Sequence, residues 1–192
     1  TPPVPFAAME EAQGSSDVVE AAPVPAPEPV DTEEAAYQRL DNAAALLTTG
    51  READARRALD ELKSLAVSHP EIALVHYDMG LAYEVLGDET SAKRSYLRTT
   101  DLDSTVGDAW LNLGNMHFRA GDHQRALQSY KAGLRQDEEN MDLWVAVIAT
   151  QRALGSLDEA VTQARAALRV NSKSLNVYNN LGLVYTEQGK LD

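Results

Sequence analysis

From Asp31 onward apolar residues fall at helical spacing, beginning with Tyr37, Leu40, Ala44 and Leu47. No run alternates apolar and polar positions as a half-buried strand does, and after Pro29 only Pro70 remains to interrupt a helix. The pattern predicts helices throughout, the first opening at a capping box of Asp31 and Glu34. A longer period is superimposed on the helical one. Gly87, Gly121, Gly155 and Gly189 recur every 34 residues, as do Ala58, Ala92, Ala126 and Ala160. The large residues His76, Trp110, Trp144 and Tyr178 keep the same interval, and so do Met79, Leu113, Val147 and Leu181. Gly80, Gly114 and Gly182 form a further column, in which Ile148 takes the remaining place.

Each column has a physical meaning. Within a unit the small residue stands four after the large one, on the same face of one helix. There it lets a second helix come close while the large residue fills the adjoining gap. The glycine seven residues later ends the first helix. The alanine five further on marks the contact face of the second helix, and Tyr96 and Tyr130 follow it by four. A unit is thus a helical hairpin whose open face the next unit must cover. At Ile148 the missing glycine predicts looser packing or a local change of helix angle. Gly50 comes three residues early against its column, which predicts a small insertion in the first unit.

These columns resemble the tetratricopeptide repeat family, whose signature is W-x2-L-G-x2-Y followed by A-x3-F. The match is fullest over residues 107–140, through Trp110, Leu113, Gly114, His117 in the Tyr slot, Gly121, Ala126 and Tyr130. Residues 73–106 match through Met79, Gly80, Tyr83, Gly87, Ala92 and Tyr96, and residues 141–174 through Trp144, Gly155, Ala160 and Ala167. Residues 31–72 read as a degenerate hairpin kept in phase by Ala58 and Pro70. Residues 175–192 read as the first helix of a truncated repeat, carrying Tyr178, Leu181, Gly182, Tyr185 and Gly189, so the chain is expected to be a fragment of a longer array. The resemblance implies an all-α fold, a right-handed superhelical solenoid of helical hairpins.

Composition sets residues 1–30 apart. Seven of the eight prolines lie in the first 29 residues, and eight acidic residues precede the first basic one, Arg39. A Pro/Ala/Glu-rich segment buries too little apolar surface to offset its ordering entropy, so a disordered acidic tether is expected here. Its Pro-x-Pro stretch from Pro23 to Pro29 favours an extended spacer. It lacks the basic start and apolar stretch of a secretory signal. The whole chain carries 30 acidic against 17 basic residues, net −13, which argues against nucleic acid as a partner. The absence of cysteine excludes disulfides, thiolate metal sites and cysteine catalysis. No apolar run is long enough for a transmembrane helix.

No phosphate-binding glycine loop, H-E-x-x-H pair or Ser–His–Asp set within one unit occurs, so no catalytic residue, metal site or cofactor is expected. His76 and His117 occupy packing columns and read as core aromatics; His123 reads as partly exposed packing. Asp101, Asp103 and Thr105 begin like a calcium loop, but the glycine is displaced to Gly107 and Asn112 stands where a bidentate Glu is required. This reads as an acidic loop between repeats, as do Asp137, Glu138 and Glu139.

In the family the first helix of each hairpin lines the concave surface. By that resemblance the partner-binding candidates are Tyr77, Leu111, Asn112, Asn115, Phe118, Arg119, Arg152, Asn179 and Asn180. Asparagine is a mediocre helix former, and its amide can grip the backbone of an extended peptide; a merely solvated face accounts for it equally well. These amides are expected not to pack, with Phe118 as an apolar anchor and the two arginines favouring acidic groups. The family's carboxylate clamp needs lysines beside the asparagines, and Leu111 and Asp108 in those slots argue against acidic chaperone tails. The implied function is a non-enzymatic scaffold that binds an extended or helical segment of another protein. Tail and array together suggest a bacterial envelope lipoprotein of the gliding-motility or pilus-assembly type. Such a protein would be periplasmic or held at the outer membrane by a lipid anchor upstream; a cytoplasmic location is the alternative. A second reading makes the repeats the substrate-recruiting arm of a larger enzyme.

Overall fold

A computed structural model describes residues 32–189; the tether expected over residues 1–30 and the cap expected at Asp31 lie outside them. Among the described residues there are nine helices and no strand. They are α1 (Glu33–Leu47), α2 (Glu52–Ser68), α3 (Ala73–Val85), α4 (Glu89–Leu102), α5 (Gly107–Arg119), α6 (His123–Gln136), α7 (Met141–Ala153), α8 (Leu157–Val170) and α9 (Leu175–Glu187). Thr32 opens α1, its hydroxyl accepting the Ala35 N–H at 3.3 Å, so the cap stands one residue later than the spacing suggested. The buried stripe of α1 is Ala36, Leu40 and Ala43, while Tyr37 is exposed.

The turn within each hairpin repeats in detail. Gly87, Gly121, Gly155 and Gly189 have φ between 67° and 76°, the left-handed region open to glycine at little cost. Past Gly87 the Asp88 N–H reaches the Tyr83 carbonyl at 2.9 Å, closing α3, while the Asp88 carboxylate accepts the Ser91 N–H at 3.0 Å and opens α4. Asp122 does both jobs between α5 and α6, with His117 and Arg125. In the first hairpin the early glycine is absorbed by the second helix: α2 has 17 residues where α4 has 14.

The small column takes a side chain, not a backbone. A Cβ on Gly80 would stand 2.4 Å from Tyr96 Cε1, and one on Gly114 would stand 2.2 Å from Tyr130 Cε1. Each glycine is therefore the seat of a tyrosine ring from the second helix. Ile148 meets Ala164 in the tyrosine's column, so the third pair reverses large and small. Both residues are fully buried, and the α7 and α8 backbones run close over a shorter stretch than α3–α4 or α5–α6. The looser packing foreseen at Ile148 takes the form of this shorter close approach, with the volume between the helices filled.

The large column is a latch as well as a filler. Trp110 Nε1–H donates to the Ser104 carbonyl at 2.9 Å and Trp144 Nε1–H to the Glu138 carbonyl at 2.8 Å. Tyr178 Oη–H donates to the Ser172 carbonyl at 3.2 Å, and His76 Nε2 lies 3.3 Å from the Pro70 carbonyl. In every case the partner lies six residues upstream, in the loop entering the hairpin. His76 is half-buried, not a core residue, because this column sits at the rim where the loop arrives, and His117 in the Tyr slot is half-buried as well.

Core clusters straddle the repeats. Ala92 and Tyr96 pack with Leu113 and Met116, while Ala126, Tyr130 and Leu134 pack with Leu143 and Val147. First helices also meet one another, as α1–α3, α5–α7 and α7–α9, whereas second helices pack chiefly on the first helices flanking them. The first helices therefore form an inner layer of a helical solenoid. That layer positions the candidate residues.

Candidate functional site

A tyrosine seated in a glycine column brings a hydroxyl into the packed layer, and that hydroxyl needs an acceptor. Tyr96 donates to Glu84 Oε2 at 2.7 Å. Tyr130 cannot repeat this, since the residue matching Glu84 is Phe118. It donates instead to Asn115 Oδ1 at 2.8 Å, one helical turn earlier, where the preceding repeat has Leu81. The third repeat has Ala164 in the tyrosine column, and the acceptor positions hold Ala149 and Arg152. Burial raises the Tyr130 hydroxyl to about 12. Tyr96 is raised further by burial and by the Glu84 carboxylate.

Glu84 also joins repeats. Its Oε1 accepts from Arg119 Nη2 at 2.7 Å, linking α3 to α5. Asn112 lies near the hydroxyls of both Tyr77 and Tyr96, where its amide favours the ionised form. Burial and the nearby Asp108 still push Tyr77 up to about 12. The Tyr77 and Tyr96 rings are tilted with centroids 5.8 Å apart. Three candidates, Tyr77, Asn112 and Arg119, thus converge on one internal polar network with Glu84 and Tyr96. At the other end Arg152 Nη1 pairs with Glu187 Oε1 at 3.2 Å, the same junction with the charges exchanged. Between the two ion pairs the matching positions are Phe118 and Ala153.

Several candidates therefore already have internal partners. Asn115, expected to be idle, holds the Tyr130 hydroxyl. Phe118, expected to be a free anchor, is half-buried against the α6–α7 core, its ring 4.6 Å from that of His123. Leu111 is half-buried on the same core. Arg119 and Arg152 are occupied by carboxylates of neighbouring repeats. Asn180 turns back on its own helix, donating to the Asn176 carbonyl at 2.9 Å, whereas Asn179 and Leu183 are exposed. Truncating Asn115 to Ala should cost about 1–2 kcal/mol by stranding the Tyr130 hydroxyl, while Asn179→Ala should leave the melting temperature unchanged. Paired thermal melts separate the two.

The surface feature that the sequence reading passed over lies between α1 and α3. A cavity of about 440 Å³ opens there, walled by Ala44 and Leu47 with Thr48 on one side, and by Leu81 and Val85 with Asp78 and Glu84 on the other. Its lining is mostly apolar. Asp78 is only 8% exposed and makes no hydrogen bond or ion pair with any described residue. Burial, with Asp41 nearby, pushes its carboxyl up to about 6. Among the described residues no group of three His, Asp or Glu is placed to hold a metal ion. No helix among them is long and apolar enough to cross a membrane.

Comparison with known proteins places this geometry. Human Superkiller complex protein 3 is 26% identical over 162 residues, covering 62% of this chain, which spans about 10% of that relative's length. Among solved structures, a MamA protein superposes with a TM-score of 0.69 at 19% identity, covering 83% of this chain and 85% of that one. YrrB, described as a TPR protein with an unusual peptide-binding site, superposes with a TM-score of 0.66 at 19% identity, covering 84% and 82%. Family profiles of the tetratricopeptide repeat match residues 77–140 and residues 151–189, together more than half of the chain. With its seated tyrosines, latched large column and left-handed turn glycines, this chain belongs to the tetratricopeptide repeat family.

Proposed function

We propose that the chain is a non-catalytic interaction scaffold whose inner helix layer receives a segment of a partner protein. The observation that carries this reading is the cavity between α1 and α3, an apolar surface on the inner layer that hairpin packing leaves open. Peptide binding by the fold neighbour YrrB supports it, as does the name of the curated relative, which makes that protein part of a complex. The polar inner residues contribute chiefly by holding the layer in shape, through Glu84–Arg119 and Arg152–Glu187. The partner then meets what remains open: the α1–α3 cavity and the exposed Asn179 and Leu183. An envelope setting draws on a Pro/Ala/Glu-rich segment, residues 1–30, standing ahead of a repeat array.

A photo-crosslinking amino acid at Leu183 should trap a discrete partner in cells, and one at the exposed Arg165 of α8 should not. Adducts from Arg165 with none from Leu183 would move binding to the outer layer.

A further inference from the structure

We infer that the cavity between α1 and α3 is a subsite for a lysine side chain of the partner segment, with its methylenes against Ala44, Leu47, Leu81 and Val85 and its ammonium on the Asp78 carboxylate. This deepens the scaffold reading above and rests on it. Asp78 is an acid more than nine-tenths buried, lining the cavity with no partner among the described residues. A buried carboxylate left alone is costly, and an arriving cation removes that cost. Both oxygens of the other acid, Glu84, are already taken, by Tyr96 and Arg119. Asp78 is thus the carboxylate open to a newcomer.

The surrounding charge favours the same occupant. Asp41 faces Asp78 from α1, Glu84 and Tyr77 lie on its own helix, and no lysine or arginine lines the cavity. The apolar walls suit an aliphatic stem, which lysine buries while keeping its charge at the mouth. Lysine brings a single compact charge on a flexible four-carbon stem, which matches one carboxylate set among apolar walls. The chain's own first 30 residues cannot supply the cation, since they contain neither Lys nor Arg. We take the occupant to be a basic segment of a partner protein, matched to the acid by charge. A purely apolar side chain is the rival occupant, and it would leave Asp78 buried and alone.

The test uses n-pentylammonium as a stand-in for the lysine side chain and n-pentanol as its uncharged match. The Asp78 carboxyl is followed by carbon NMR on the intact protein. Pentylammonium should bind saturably and lower the Asp78 titration midpoint by about one unit or more, as a close opposite charge does. Pentanol should leave that midpoint in place. Asp78→Asn should weaken pentylammonium at least tenfold, and Ala44→Met, which fills the cavity but keeps the charge, should weaken both probes. Equal binding of the two probes, or no saturable response at Asp78, overturns the lysine subsite. These outcomes are independent of the crosslinking at Leu183: a cation subsite without an inner-layer partner would sink the scaffold reading alone.

Discussion

Replacing Gly114 by Ile should destabilise the protein by about 3 kcal/mol, because the new Cβ would stand 2.2 Å and 2.4 Å from two ring carbons of Tyr130. The ring cannot step aside, being 2% exposed and packed among Ala126, Leu134, Leu143 and Val147. Tyr130→Ala alone should cost about 3–5 kcal/mol, by opening a cavity that Gly114 cannot fill. The double variant Gly114→Ile, Tyr130→Ala copies the pair Ile148 and Ala164 one repeat later. It should return to within about 1.5 kcal/mol of the parent, as volume-conserving exchanges do. The two losses would then be far from additive, which is the mark of side chains in direct contact. Urea melts of the four proteins measure the coupling. If the two losses simply summed, the glycine would be no seat for the ring, and the reading of that column would fall with it.

This pair also shows what a sequence can and cannot disclose. Steric columns are legible because each demands one residue size at one place, so Gly87, Ala92 and Trp110 announce themselves by period alone. The hydroxyl of Tyr130 makes a looser demand: some acceptor within reach. Glu84 meets it for Tyr96 and Asn115 for Tyr130, from positions a helical turn apart, so no single column records the partnership. Asn115 consequently looked like a groove amide. The ion pairs escaped for a related reason, since Glu84–Arg119 and Arg152–Glu187 exchange signs between columns. Asp78 escaped because nothing in a sequence tells a solvated acid from one buried without a partner. The signal that could have found the hydroxyl network was the tyrosine itself: a buried Tyr in a helix-contact column implies a polar group nearby.

The latch column gives the second large effect, graded by burial along the array. Trp110→Ala should lower stability by about 2–3 kcal/mol, below the range for a fully buried indole because the ring is half-buried. Two contributions make up that loss. The indole packs against the core of Ala92, Tyr96, Leu113 and Met116, and its N–H holds the Ser104 carbonyl of the entering loop. Trp110→Phe keeps most of the first and removes the second, so it should cost about 0.5–1.5 kcal/mol, the worth of one neutral hydrogen bond. Trp144 has the same carbonyl partner type and packs against the cores on both sides of α7, so its truncation should cost as much. Tyr178 is 50% exposed on α9, and truncating it should cost less than about 1 kcal/mol. Thermal melts of the four variants give the ordering directly. Were Tyr178→Ala as damaging as Trp110→Ala, the latch would act through its hydrogen bond alone, and the burial of the ring would be incidental.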